Sequence, residues 1–206
     1  MCFSAQASFG ASIVLGIMGV YALKKAIPSQ RFLATVPLFF AIQQACEGIV
    51  WVTYSNPAHA LLTTLATYSF CFFAFFFWPI WIPITTIKME TDPRRQTILQ
   101  GILIIGSLVS SVLIFSVFQN GIQTTVSCHH IRYDLFLPTF LSNVGIVFYC
   151  IATILPLFVS SKRWLSLFGV LTIGSVALSA FFYETFFVSV WCFFAALLSS
   201  VIIWIL

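Results

Sequence analysis

The chain alternates long apolar runs with short polar breaks. Five runs stand out first: about Ser4 to Leu23, Phe32 to Tyr54, His59 to about Ile82, Thr97 to Phe118, and Leu135 to Val159. About 20 apolar residues carry a helix across the ~30 Å hydrocarbon core of a bilayer, and these runs have that length. The remaining stretch, Trp164 to Leu206, is too long for one crossing. As a single helix it would reach roughly 65 Å at 1.5 Å per residue, about twice the core. Its one charged residue is Glu184, beside Tyr183 and Thr185, so a tight turn is placed there. The pattern predicts an all-α, polytopic membrane helix bundle with seven transmembrane helices. No linker or change of composition divides it, so residues 1–206 read as one seven-span domain.

Composition agrees with that reading. The chain is 61% apolar and 7% charged, with a mean hydropathy of +1.07. A soluble domain carries about 25% charged residues, so a water-facing coat is excluded. The net charge of +4 does not point to nucleic acid, because the basic residues sit in short loops rather than in a patch. Their positions set orientation instead. Lys24, Lys25, Arg31, Lys88, Arg94, Arg95, Lys162 and Arg163 fall in alternate loops on one face; only Arg132 lies opposite. Lys and Arg mark the cytoplasmic side. The N-terminus is therefore expected outside and the C-terminus inside, in a membrane such as the bacterial plasma membrane. The first run is expected to remain as a span, since its charges follow it rather than precede it.

Other features concern packing. Ser4, Ser8, Ser12 and Gly16 recur every fourth residue, a small-residue stripe that lets a second helix approach. Trp78-Pro79-Ile80-Trp81-Ile82-Pro83 is placed near the inner end of the third span, where proline ends or bends a helix. Phe72 to Phe77 is almost all Phe and is read as core or lipid-facing filling. No internal repeat of the kind found in many transporters is evident.

Chemistry is expected where polar groups enter the spans. Gln43, Gln44, Glu47 and Trp51 share one face of the second span by their spacing. Glu47 lies roughly 10 Å below the outer end, at 1.5 Å per residue. An ionisable group at such depth costs several kcal/mol unless paired or hydrated, and is a candidate functional residue. On the same outer side fall His59, His129, His130, Cys2, Cys128, Asp134 and Glu184. His, Cys and carboxylate are zinc's ligands, so His59, His129, His130, Glu184 and Cys2 form a candidate set for zinc or another transition metal, with Glu47 as general base. Cys2 and Cys128 carry an alternative, a disulfide in an oxidising compartment. The other cysteines lie within spans and read as packing residues. Arg132, beside Tyr133 and Asp134, either pairs with Asp134 or attracts an anionic group. Ser142, Asn143, Tyr149, Ser175, Ser179, Tyr183 and Ser189 add polar atoms to the last three spans, for a pocket or for helix-to-helix bonding.

The opening Met1-Cys2-Phe3-Ser4-Ala5 and the stretch Gln43-Gln44-Ala45-Cys46-Glu47-Gly48-Ile49-Val50-Trp51 resemble a family of uncharacterised bacterial multi-pass membrane proteins. The shared pattern there is Gln-Gln-x-x-Glu-Gly-x-x-Trp, and the resemblance implies that Cys2, Gln44, Glu47 and Trp51 belong to it. Span number and orientation are also similar to the seven-span zinc hydrolases, but the last span has no His-x-x-x-His and no His at all. Three functions remain open on sequence: a metal-dependent hydrolase of lipid-like substrates, a small transporter or channel with Glu47 as a proton or cation site, and a non-catalytic membrane protein that binds a lipid or small molecule.

Overall fold

A computed structural model of the chain describes residues 4–127 and 130–206. Its body is seven helices long and apolar enough to cross a membrane, the architecture of an integral membrane protein. They are α1 (Ala5–Lys25), α2 (Pro28–Thr53), α3 (Pro57–Met89), α4 (Pro93–Asn120), α5 (Thr139–Val159), α6 (Arg163–Phe182) and α7 (Glu184–Trp204). Starts are written locally. Ser4 Oγ accepts from the Ala7 N–H, Asn56 Oδ1 from Ala58 and Asp92 Oδ1 from Arg94. Pro57 and Pro93 then open α3 and α4, where a missing N–H costs nothing. The turn expected at Glu184 divides α6 from α7.

Contacts define two ends. At one, the basic end, Lys25 Nζ donates to the Ile203 carbonyl and Arg95 Nη1 to the Val159 carbonyl at 2.7 Å. Lys88 sits 5.8 Å from the Phe32 ring centroid. Glu90 fastens this end together: its carboxylate accepts from the backbone N–H groups of Thr91, Asp92 and Ser161, and from Ser161 Oγ. Burial works against the charged form, but these donors outweigh it and pull the carboxyl down to about 2.

The opposite end departs from the all-α expectation. The loop after α4 is a two-stranded antiparallel hairpin, β1 (Ile122–Ser127) with β2 (His130–Leu135). Consequently Leu135, expected to open the fifth span, pairs with Ile122 instead, and α5 starts at Thr139. The local pattern accounts for this. Side chains alternate in burial along both strands, with β-branched residues frequent, which is a period of two rather than 3.6. Gly121 turns the chain from helix into strand at φ +72°, a conformation glycine adopts without steric cost. The hairpin docks on the bundle: Tyr54 Oη donates to the Thr124 carbonyl, and the Tyr133 ring stacks on Phe70 at 4.7 Å.

Helix α3 also runs further than expected, to Met89 rather than to about Ile82. Its proline pair is absorbed sideways. The backbone widens to π-helical geometry over Phe72–Phe77, and Pro79 has no N–H to give the Ala74 carbonyl five residues back. Tyr149 Oη on α5 donates to that carbonyl instead, at 2.6 Å, and Ser110 Oγ on α4 serves Phe76 at 3.0 Å. Pro83 likewise withholds a donor from Pro79. The Pro79 carbonyl lies directly against Gly106 of α4, where any Cβ would collide with it.

Burial ranks the helices: 61% of the α2 span is buried, against 22% of α5. Helix α2 is central, and α5 borders lipid. Helix α1 packs on α2, and its buried set is Ser8, Ala11, Leu15, Gly19 and Ala22 rather than the expected stripe. A strict four-residue repeat drifts around a 3.6-residue helix, so only Ser8 of the expected stripe reaches the buried face.

Candidate functional site

The polar face of α2 is turned into the bundle. Gln43, Gln44 and Glu47 are each at most 2% exposed. Two neighbours meet it. Trp78 Nε1 on α3 donates to Gln43 Oε1 at 2.8 Å, and Ser189 Oγ on α7 donates to Glu47 Oε1 at 2.5 Å. The Gln44 amide acts on the Glu47 carboxyl, yet neither its Nε2 nor its Oε1 has a hydrogen bond of ordinary geometry. Cys71 and Cys192 lie within electrostatic reach of the same carboxylate. Glu47 sits roughly 9 Å in from the end of α2, at 1.5 Å per residue.

From the hairpin, Tyr133 enters the bundle toward this group. Alternation along β2 buries Ile131 and Tyr133 and leaves Arg132 exposed. Burial, reinforced by Glu47, pushes the Tyr133 phenol well above its ordinary range, so it keeps its proton. Its hydroxyl has no hydrogen-bond partner among the described residues. Trp51, one turn nearer the hairpin than Glu47, is half-buried and packs on the cluster formed by Phe70, Ile131 and Tyr133. Arg132 pairs with Asp134, Nε to Oδ1 at 2.7 Å, which realises one of the two roles open to it.

Beside Tyr133 lies a cavity of about 270 Å³. One wall is a single face of α5, Ser142, Gly145, Ile146 and Tyr149. The facing wall, from α7, includes Trp191 and Cys192. Most of the lining is apolar. Asp134 and Ser142 are its polar exceptions, while Tyr133 Oη and Trp191 Nε1 are enclosed by protein and have no partner among the described residues. Leaving such a group without a partner costs about 1–3 kcal/mol.

The described members of the metal set, His59, His130 and Glu184, are not gathered into a metal site. Among the described residues no three His, Cys, Asp or Glu side chains stand close enough to hold an ion. His59 and Glu184 are exposed, and His130 stacks on Phe186 with centroids 4.8 Å apart. Cys2, Cys128 and His129 lie outside the described residues, as does the disulfide considered for the two cysteines. Cys46, Cys71, Cys150 and Cys192 are free thiols.

Sequence reasoning missed Tyr133, Trp78 and Trp191 as parts of the site. Tyr133 carries a signal in retrospect, the two-residue alternation with Ile131. Trp78 reads as an interface anchor only because the third span is expected to end at about Ile82, whereas α3 runs on to Met89, and no local signal marks Trp191, which lies inside α7.

No curated protein and no solved structure matches the chain. The expectation of an uncharacterised family is met over the whole length: the chain belongs, across residues 1–206, to the family of unknown function DUF6629.

Proposed function

We propose that this is a ligand-binding protein of the membrane, whose cavity beside the hairpin receives the polar end of a small amphiphile. One observation carries the reading: a mostly apolar cavity of about 270 Å³, with Asp134 and Ser142 among its lining residues, lies between the hairpin, α5 and α7. Pockets built for ligands are mostly apolar with a few convergent polar groups, and this one has that make-up. The basic end faces the cytoplasm on the charge rule, which puts the hairpin and cavity in the outer half of a plasma membrane, with the N-terminus outside.

The test is native mass spectrometry of protein released from its own membranes. Wild type is expected to carry a small-molecule adduct, and the cavity-filling Ser142→Phe variant to lose it. No adduct, and none acquired from a total lipid extract, would sink the reading.

A second reading has its own support. Gln44, fully buried with both ends of its amide unpartnered, adjoins Glu47, and unsatisfied buried groups are where ordered water or an ion is expected. In this reading Glu47 is a proton or cation site. It predicts flux in liposomes that Glu47→Gln abolishes; unchanged flux would remove it.

A further inference from the structure

The cavity beside the hairpin carries charge of one sign. Asp134 of β2 is on its wall, and among the described residues no Lys, Arg or His is. Arg132, which engages Asp134 Oδ1 through Nε, is exposed and off the wall. That bond does not consume the carboxylate. An ionised carboxyl has two acceptor oxygens and about four lone-pair sites, and the Asp134 side chain is 31% exposed. An ion pair this open to water is weak, so a second cation can share the group.

The rest of the wall is suited to the same sign. Phe75, Tyr133, Tyr149, Phe187 and Trp191 line it. Tyr149 and Phe187 both pack on Trp191, with ring centroids 5.5 and 5.3 Å away, so α5 and α7 together supply one aromatic surface. Aromatic rings attract amines and quaternary ammonium groups without any hydrogen bond. That matters because the Tyr133 hydroxyl and the Trp191 N–H are enclosed and offer a guest nothing. An anion is poorly served. Helix α5 reaches the wall first at Ser142, whose backbone N–H already serves the Pro138 carbonyl, so that amide is not available to draw negative charge. Ligand pockets run from about 300 Å³ upward, and one of about 270 Å³ suits a head group rather than a whole amphiphile.

Resting on the ligand-binding reading, we propose that the polar end received by this cavity is a cation, an amine or quaternary ammonium head. The head lies between the Asp134 carboxylate, which it shares with Arg132, and the aromatic surface around Trp191.

The test is native mass spectrometry of the full chain in maltoside micelles with an equimolar mixture of decyltrimethylammonium, monodecanoin and decyl phosphate. Wild type should retain the cation over either other probe by about tenfold. Asp134→Asn keeps the shape, removes the charge and should lower the cation to the level of monodecanoin, with monodecanoin unchanged. Arg132→Gln removes the competing cation and should raise retention of decyltrimethylammonium by about two- to fivefold. It probes the same carboxylate without altering it, and decides the matter should Asp134→Asn fail to fold. Equal retention of the three probes, or a preference for decyl phosphate, would overturn the cationic head and leave the cavity reading standing. A cation preference that persists in Asp134→Asn, or a fall in Arg132→Gln, would overturn it too. Retention of no probe by wild type, or retention that survives the cavity-filling Ser142→Phe, would end the cavity reading and this inference with it.

Discussion

Ser189 and Glu47, on helices α7 and α2, meet inside the bundle through a 2.5 Å hydrogen bond, with the carboxylate 2% exposed. The residues are far apart in the chain, and no feature near either announces the other. Together with the Gln43–Trp78 bond, this contact ties α2 to both α7 and α3 through buried polar groups. Such bonds within membrane bundles are worth about 0.6–2 kcal/mol each.

Removal of one partner should cost more than removal of both. Ser189→Ala leaves a buried carboxyl without its donor and is expected to destabilise by about 1–3 kcal/mol. A double-mutant cycle with Glu47→Leu, read by steric trapping or thermal unfolding in mild detergent, should return a coupling of about 1 kcal/mol. Additive effects would show that the contact is not made in the folded protein.

The two glycines facing α4 and α5 should respond oppositely to alanine. Gly106→Ala places a methyl against the Pro79 carbonyl and should destabilise by about 1–3 kcal/mol, since the helices must part. Gly145→Ala meets open space and should be neutral or stabilising by up to about 1 kcal/mol through helix propensity. Equal thermal shifts for the two would contradict the packing described.

Tyr149 supplies the hydrogen bond that Pro79 withholds. Tyr149→Phe keeps the ring and removes the donor to the Ala74 carbonyl, at an expected cost of about 1–3 kcal/mol. Replacing Pro79 with Ala in the same protein should recover part of that loss, because an N–H returns to the π-helical turn. No recovery on thermal unfolding would mean that the carbonyl finds another donor.

Glu90 gives the basic end an acid limit. Its carboxyl is lowered from the ordinary 4.5 to about 2, so the folded state favours the ionised form. Its contribution is complete above about pH 4.5 and is lost as pH falls toward 2. Glu90→Gln should therefore be less stable than wild type at neutral pH, with the difference shrinking in acid over that window. A difference that stays constant from pH 7 to about 2 would rule out the carboxylate as the cause.

Much of the candidate site was legible along α2. Gln43, Gln44 and Glu47 are polar residues that lipid would reject, spaced to share a helical face, and that face is the buried one. Among the described residues, His59, His130 and Glu184 do not converge. A common side of the membrane gathers loops within one layer, but His59 and Glu184 remain exposed in that layer, and His130 is occupied with aromatic rings. Proximity to an interface is a one-dimensional statement, whereas a metal site needs convergence in three dimensions.

Hydrophobic run length alone was enough for seven crossings, because backbone groups in lipid must bond within their own helix and a span needs about 20 apolar residues. The split at Glu184 follows from the same arithmetic. Tertiary structure decided what those spans enclose. The hairpin was hidden because its strands border a membrane-length run and yield to it in any long window. The Ser189–Glu47 bond, the donors offered to the α3 carbonyls, and the cavity between α5 and α7 depend on which helices become neighbours. Neighbour choice rests on small differences in packing across the bundle, and no local pattern in the chain encodes that sum.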